Sequence, residues 1–330
     1  MKDILKLLPV RLDMFDGNTN KTTDTDLSQE MKTYYSDFLI DLAEPKLVHD
    51  QFGQKHPIPK NGGKTIQFRK YDSLPKATTP LTEGVTPDGQ KLKMSVVEAT
   101  VSQYGGFIEL SDILLLTAID NNLVQATKLL ASQAGRTLDT ITREELVGGT
   151  NVIYSGGRSS RSALTKTDVL TVDDIKKAVR ALKVQNAEPV DGGDFVAIIH
   201  PDCTYDLTKD EEWKYPHQYV DTENIYSGEI GRIAGCRFVE TTEAKIFGGA
   251  GASSGDVYVT LVIGANAYGV TEVSGGGLQH IVKQLGSAGT ADPLNQRATC
   301  GWKATKVAKR LVEQYMVRIE SGCTFASGSN

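Results

Sequence analysis

The sequence lacks closely spaced cysteines. Its four cysteines are separated by 33, 64 and 23 residues, and no C-x-x-C pair occurs; they are Cys203, Cys236, Cys300 and Cys323. This spacing argues against zinc ribbons and thioredoxin-like redox sites. It is typical of reduced thiols in a cytosolic protein.

Long apolar runs are also missing. No stretch of about 18 consecutive apolar residues occurs, which argues against a transmembrane helix. The opening sequence MKDILKLLPV is too short and too charged for a signal peptide, and no small-residue cleavage site follows it. We therefore expect a cytoplasmic chain that has no membrane partner.

An excess of positive charge is absent too. The chain has 36 Lys and Arg against 41 Asp and Glu, which gives a net charge of −5. Such a surface is not built to hold phosphate backbones throughout, although a local basic patch remains open. The 330 residues are 39% hydrophobic and 23% charged, which excludes a wholly disordered or collagen-like chain.

A long β-hairpin is predicted in the first third of the chain. One strand covers about Lys64–Tyr71 and the second about Lys93–Gln103, because apolar and polar residues alternate in both. The proline- and glycine-rich run from Asp72 to Gln90 is typical of a loop. A short strand, Phe107–Leu110, follows Gly105-Gly106 and completes the hairpin segment.

A long helix is predicted next, from Ser111 to Val147, because apolar residues recur there every three or four positions. A second helix begins after Thr171, with Asp174 completing a capping pattern. A short helix and a loop extend to Gly235. Short strands are predicted at 195–200, 236–240, 257–263, 267–273 and 279–284, and a last β region at 299–320. Because strands and helices do not alternate strictly, the predicted fold class is α+β.

Two motifs typical of enzymes fail in their context. Gly63-Lys64-Thr65 is similar to the end of a phosphate-binding loop, but Ile58 replaces the required first glycine and a strand follows instead of a helix. The run Gly251–Gly255 matches G-x-S-x-G with Ser253 as its nucleophile, yet a strand again follows where a nucleophile elbow needs a helix. We expect neither site to be catalytic.

Candidate metal and nucleic-acid ligands are equally weak. The spacing of His200, Cys203 and His217 fits no zinc module, and His49 and His56 flank a predicted turn without a carboxylate partner that the sequence identifies. A basic cluster lies close to Trp302 and Tyr315, but on a strand its members fall on both faces; they are Lys303, Lys306, Lys309 and Arg310. No catalytic residue, metal or cofactor is therefore predicted.

The features that remain suit contacts between subunits. Residues 1–25 form a predicted extended arm, and a short helix containing Met31 and Leu42 follows it. A projecting hairpin buries little surface on its own body and is suited to reach another subunit. We expect the apolar residues at its tip to make that contact; they are Leu74, Leu81, Val85 and Leu92.

Several long segments together resemble the major capsid proteins of tailed bacteriophages that have the Hong Kong 97-type fold. They are QFGQK, PIPKN, GKTIQFRKYDSLPKATTPLTEGVTPDG, VSQYGGFIELSD, FVAIIHPDCTYDL, GCRFVETTEAKIF and LGSAGTADPLNQRATCGWKA. The resemblance covers residues 45–320. Residues 1–25 and the last ten carry no pattern of this family.

The resemblance implies an architecture and a function. It implies an N-terminal arm at 1–60, an extended hairpin loop at 61–108, a spine helix and peripheral domain at 109–170, an axial domain at 171–284, and peripheral strands and a tail at 285–330. It implies self-assembly as hexamers and pentamers into an icosahedral shell around double-stranded DNA. Further implied partners are a portal, a scaffold or decoration proteins, and the packaged DNA through weak non-specific contact. The implied location is the virion capsid, with assembly in the cytoplasm of a bacterial host.

Two other functions stay open from the sequence. One is a hydrolase that uses Ser253, and the other is a different structural protein of the virion, such as a tail or decoration protein. The long helix after a long hairpin argues against the second. Some proteins of this fold crosslink through a lysine and an asparagine, and the sequence gives no basis for choosing such a pair.

Overall fold

The fold was analysed in a computed structural model. It describes residues 48–330 apart from 72–73, 87, 118–121, 191–192, 214–228, 275, 288–291, 327 and 329. The predicted extended arm at 1–25 and the predicted helix near Met31 lie outside the described residues, whereas residues 48–60 of the implied arm are described. The described helices are α1 (Asp112–Thr117), α2 (Asn122–Val147), α3 (Val172–Val184) and α4 (Pro201–Thr208). None of them combines the length and the apolarity that crossing a membrane requires.

Fourteen strands lie in the described part of the chain, and they form three sheets. In chain order they are β1 (Gln54–Lys55), β2 (Thr65–Tyr71), β3 (Met94–Thr100), β4 (Ser102–Ser111), β5 (Val152–Tyr154), β6 (Phe195–Ile199), β7 (Glu229–Ile233), β8 (Cys236–Glu240), β9 (Ile246–Phe247), β10 (Val257–Ile263), β11 (Tyr268–Thr271), β12 (Gln279–Lys283), β13 (Arg297–Arg310) and β14 (Met316–Ser321). The mixed α+β class predicted from the sequence is confirmed.

The largest sheet has seven strands and holds most of the core. Its order is β5-β14-β10-β6-β8-β7, and β9 also pairs with β10. Every side chain of β6 and of β10 is buried. Alternate side chains of β6 enter two different clusters, one with α3 and α4 and the other with the end of α2. Burial on both faces explains the continuous apolar runs of these two strands, because neither face contacts water.

The second sheet has five strands and is built around β13. β4 pairs with residues 297–306 of β13, and β12 pairs with the opposite edge at 299–303. Helix α2 packs on one face, where Leu130 and Ala134 contact Trp302. The Trp302 indole Nε1 donates a hydrogen bond to Gln133 Oε1 on this helix at 3.1 Å. Since the end of α2 also packs on the seven-stranded sheet, the long helix joins the two sheets.

Side chains cap the N-termini of two helices. The Thr171 side chain accepts a hydrogen bond from the Asp174 amide, which caps α3 as predicted. His200 caps α4 in the same way, and Pro201 occupies the first turn, where its missing N–H costs nothing. The predicted helix over 111–147 is found as α1 and α2, with 118–121 outside the described residues.

The strand after the hairpin is longer than predicted. Gly105-Gly106 is typical of a turn, yet β4 runs through both glycines, from Ser102 to Ser111, and pairs with β13 rather than with the hairpin. A side chain at 105 would press on the Trp302 carbonyl oxygen, so glycine allows the close approach of two strands. The two-stranded hairpin is therefore β2 and β3, and the implied extent of the hairpin loop, 61–108, stays a prediction.

The sheets also divide the chain differently from the implied domains. β14 lies within 285–330, yet it pairs with β10 and β5 of the seven-stranded sheet. β11 and β12 lie within 171–284, yet they pair with β13. The division into axial and peripheral domains stays a prediction.

Gly322 permits a close approach that stabilises the end of β14. A Cβ atom at this position would overlap the backbone carbonyl of Thr165. Because backbone cannot move away cheaply, we expect Gly322→Ala to lower the free energy of unfolding by ~3 kcal/mol. Gly89→Ala is the matched control, since no atom lies within 4 Å of its Cβ position. Urea unfolding of both variants checks this, and equal stability would contradict it.

Candidate assembly surfaces

The hairpin stem pairs only with itself within the described chain. β2 and β3 form a two-stranded sheet with seven residue pairs. Polar side chains link the strands across the stem: Gln67 Nε2 donates to Glu98 Oε1 at 2.6 Å, and the hydroxyls of Thr65 and Thr100 lie 3.2 Å apart. Midway along β2, Phe68 packs against His56 edge to face, with ring centroids 5.8 Å apart. The stem thus contacts the body at Phe68, and the tip lies beyond that contact.

The hairpin tip presents apolar side chains to solvent. Leu81 is 77% exposed and Leu92 is 75% exposed, and Leu74 and Val85 are more than half exposed. Few contacts close the loop; one is the Gln90 amide, which donates to the Pro75 carbonyl at 3.5 Å. The single chain therefore leaves uncovered all four residues for which we predict an inter-subunit contact.

A second apolar surface lies on the five-stranded sheet, on the face away from α2. Phe107 and Ile281 both pair with Gly301, so their side chains share one face across three strands. Phe107 is 71% exposed. A Cβ at position 301 would press on the Phe107 side chain, so glycine keeps this row open. We call these three residues the bare sheet face. The exposed Ile113 and Leu116 of α1 add further apolar area.

Residues 49–50, which lie within the arm implied at 1–60, are held by a largely buried polar cluster. His49 Nδ1 lies 2.6 Å from Asp139 Oδ2, and the His49 amide donates to Asp139 Oδ1 at 2.9 Å. Thr142 Oγ1 donates to Asp50 Oδ1 at 2.5 Å, and Lys306 Nζ forms an ion pair with the same carboxylate. We call these five residues the root cluster. It fixes residues 49–50 to α2 and β13.

The root cluster extends to a third element. Tyr268 on β11 donates its hydroxyl hydrogen bond to the His49 carbonyl. Burial raises the pKa of the Tyr268 hydroxyl, so this group stays a donor at any physiological pH. Lys306 Nζ also donates to the Leu138 carbonyl at 3.0 Å. Residues 49–50 are therefore joined to α2, β11 and β13 at one buried point.

The sequence analysis missed this cluster, since Asp139 follows His49 by 90 residues. The structure corrects the inference that His49 lacks a carboxylate partner, because its amide and its ring both contact Asp139. Asp139 and Thr142 lie three residues apart on one helix, so the partners are visible only once α2 is placed beside residues 48–50. The one signal in the sequence was that two polar residues, Asp139 and Thr142, lie close to the apolar residues of the predicted helix.

The basic cluster near the C-terminus divides between two faces, as predicted. Lys303 is exposed, whereas Lys306 is buried in the root cluster. Lys309 and Arg310 form ion pairs with Glu145, at 3.5 and 4.0 Å. Two of these four cations are thus paired with α2 and one is buried, so the four form no continuous basic surface for nucleic acid.

The enzyme-like motifs stay without partners that would make them catalytic. Ser253 has φ 54° in a short 3₁₀ turn, and the next element is strand β10. The downstream histidine, His280, lies on β12 of the other sheet, 3.1 Å from Cys300 Sγ. Lys64 is followed by strand β2 and not by a helix. No acid, base and nucleophile converge at either motif among the described residues.

The histidine and cysteine once considered as metal ligands have structural contacts instead. His200 caps α4 and lies 3.5 Å from Asp202, and burial lowers the pKa of the His200 imidazole. Cys203 lies beside Ser321. His217 is outside the described residues. Within the described chain, no group of three His, Cys, Asp or Glu could hold a metal.

Solved phage capsids share this fold. The capsid of Ralstonia phage GP4 has a TM-score of 0.69 at 15% identity and covers 94% of this chain and 100% of its own. The capsid of the cyanophage P-SCSP1u gives 0.68 at 14% identity, covering 96% of this chain and 99% of its own. The head of Helicobacter pylori bacteriophage KHP40 gives 0.62 at 11% identity, covering 93% and 97%. The Hong Kong 97-type capsid fold predicted from the sequence is confirmed.

The amino-acid sequence itself also matches a family of phage proteins. No curated protein matches the chain. The model of the phage capsid protein family matches residues 95–308, which include β4, α2 and every strand of the two large sheets except β1, β14 and the end of β13. Members of this family are structural proteins of the virion capsid, which confirms the expectation that the chain is not an enzyme and gives no support to the Ser253 alternative. The chain belongs to the phage capsid protein family.

Proposed function

We propose that the protein is the major capsid protein of a tailed phage and assembles as hexamers and pentamers into a closed icosahedral shell around double-stranded DNA. The observation that carries this proposal is the projecting hairpin, whose tip exposes four large apolar side chains. The bare sheet face is a further uncovered apolar surface on the same chain. Repeated contacts between copies of one chain would cover both.

The energetics of the tip favour a contact with a neighbouring copy. A lone two-stranded hairpin is marginally stable in water, so the stem cannot support an apolar tip unaided. Burying Leu81 or Val85 on a neighbour contributes ~1.5–3 kcal/mol each. Pro75 and Pro80 restrict the loop before binding, which lowers the entropy lost on ordering. Small contributions of this size add up when they repeat around a ring of subunits.

The domains and partners assigned next are those that the resemblance to phage major capsid proteins implies. We assign 171–284 mainly to an axial domain near the five- and six-fold axes, and α2 with the C-terminal strands to a peripheral domain. We further propose assembly in the cytoplasm of a bacterial host, with a portal and a scaffold or decoration proteins as partners. Packaged DNA makes weak non-specific contact, because a weakly repulsive acidic wall does not trap DNA during packing.

Assembly of the purified protein tests the proposal directly. We expect hexamers, pentamers or closed shells by negative-stain electron microscopy and analytical ultracentrifugation. A monodisperse species of 35.8 kDa at high concentration, across salt and crowding conditions, contradicts assembly of the chain alone. Co-expression with a scaffold protein from the same phage is then the decisive repeat, and a monomer there overturns the proposal.

The hydroxyl of Ser253 is expected to be dispensable. Because no base approaches it among the described residues, Ser253→Ala should leave both assembly and stability within ~0.5 kcal/mol of the unchanged protein. A serine-reactive fluorophosphonate should label neither protein. Labelling that depends on Ser253, or loss of shells in the variant, would restore the hydrolase alternative.

A further inference from the structure

Two buried thiols meet where the chain leaves β14. Cys203 lies on α4 and Cys323 lies two residues beyond the last strand, and each is 1% exposed. Cys203 Sγ is 3.9 Å from Ser321 Oγ, and Cys323 Sγ donates to Asp206 Oδ2 at 3.2 Å. Cys203 and Asp206 share one face of the helix, and Ser321 and Cys323 share one side of the extended chain. The Cys203–Cys323 pair lies between these two contacts.

Both thiols belong to the same buried cluster. The pKa of the Cys203 thiol is well above its usual value, chiefly because it hydrogen-bonds the Cys323 thiol and also because it is buried. Both cysteines are free thiols in this state. Cys236 lies in the same cluster but beside Phe195, at the opposite end of β6 from Cys203, and Cys300 lies on β13 of the other sheet. Only one pairing is therefore prepared among the four cysteines, all of which lie in the described chain.

We propose that Cys203 and Cys323 are a latent disulfide pair, which stays reduced among reduced thiols and closes in an oxidising medium. The bond would staple the segment after β14 to α4. This inference does not depend on the proposed function, since the pair lies within one chain.

An oxidant can reach the buried pair when the segment after β14 opens. Residues 322–326 are called the strap here, and 324–326 are exposed. The Thr324 amide and hydroxyl both donate to Asp206, at 2.9 and 2.7 Å, Phe325 packs on Tyr205 with ring centroids 5.1 Å apart, and the Gly322 amide donates to the Asp168 carbonyl at 2.9 Å. Exposed segments open locally far more often than the whole fold unfolds. Opening of the strap exposes Cys323 before Cys203.

The chemistry balances with a disulfide oxidant such as glutathione disulfide. With the strap open, Cys323 loses its proton, and its thiolate attacks one glutathione sulfur, forming a mixed disulfide and releasing one glutathione thiolate. When the strap closes, the Cys203 thiolate attacks the Cys323 sulfur and releases the second glutathione. Two cysteine thiols are oxidised and one glutathione disulfide is reduced to two glutathiones, which take up the two protons.

The experiment uses the full-length purified protein, assembled or free, incubated with glutathione disulfide. Alkylation with N-ethylmaleimide after denaturation, followed by intact and peptide mass spectrometry, counts the remaining thiols. We expect a loss of about 2 Da, two alkylated cysteines instead of four, and one crosslinked peptide pair that contains Cys203 and Cys323. Cys236 and Cys300 should stay alkylated. A parallel incubation in urea, below the unfolding transition, should reach the same product faster because the strap opens more often.

Three variants make the test specific. Cys323→Ser and Cys203→Ser should each abolish the 2 Da loss, whereas Cys236→Ser, the matched control at another buried cysteine, should leave it unchanged. Phe325→Ala should speed closure several-fold, since it removes the ring contact with Tyr205 and loosens the strap. The oxidised protein should melt on the order of 5 °C higher than the reduced one, because the bond closes a loop of about 120 residues. Four free thiols both with and without urea, or a crosslink that involves Cys236 or Cys300, overturn the proposal.

Discussion

Deletion of residues 78–89 is expected to abolish shells while leaving the rest of the fold intact. The deleted residues carry Leu81 and Val85, which are exposed in the single chain and make no core contact. The stem pairs of β2 and β3 lie outside the deletion. The loss therefore removes an interface and leaves the two sheets and α2 untouched. Electron microscopy reports the shells, and circular dichroism with urea unfolding reports the fold.

A pair of substitutions separates apolar contact from loop geometry. Leu81→Ser with Val85→Ser keeps the loop length and removes the apolar side chains. Because each loses ~1.5–3 kcal/mol of burial, the protein concentration needed for assembly should rise more than tenfold. Thr79→Ser with Thr82→Ser is the matched control, since both threonines are exposed in the same loop. Normal particles from the deletion, or a tip that resists protease in a proven monomer, would show that the hairpin folds onto its own body.

Local patterns predicted the hairpin and the strands of the core well. The bounds predicted for Cys236–Glu240 and Val257–Ile263 are those observed. The reason is physical: side-chain alternation and continuous apolar runs are properties of a few neighbouring residues, and burial on one or two faces selects them directly. The same holds for the cap at Thr171, because a side chain bonds a backbone amide three residues away.

The extent of some strands and their partners could not be predicted from local sequence patterns. Strand β4 continues through Gly105 and Gly106 because β13 approaches so closely there, and no local pattern marks that approach. Strand β7 was missed within a segment predicted as helix and loop. The pairing of β14 with β10 rather than with the β13 sheet depends on where the chain turns after Arg310. Strands β4 and β14 each depend on a partner more than 50 residues away in the sequence, whereas β7 pairs with the neighbouring β8.

The root cluster is expected to contribute most of the free energy that holds residues 49–50 to α2 and β13. Asp139→Ala should lower the free energy of unfolding by ~3–5 kcal/mol, because it leaves both the His49 amide and its imidazole buried without their acceptor. Asp139 is 2% exposed and His49 is fully buried, so water cannot replace the lost carboxylate. Alanine favours helix more than aspartate does, so weakened helix propensity cannot be the cause.

A carboxylate on a helix surface is the matched control for this substitution. Asp173 on α3 forms an ion pair with Lys177 at 2.7 Å, but both side chains are more than half exposed. Because water solvates both partners, Asp173→Ala should cost less than ~1 kcal/mol. Urea unfolding of the two variants gives the comparison, and a double-mutant cycle of His49→Ala with Asp139→Ala isolates their coupling. Equal losses from Asp139→Ala and Asp173→Ala would mean that the buried pair contributes nothing beyond an exposed one. In that case the predicted arm would be held to α2 by the apolar contacts of Val48 instead, and Val48→Ala would become the more damaging change.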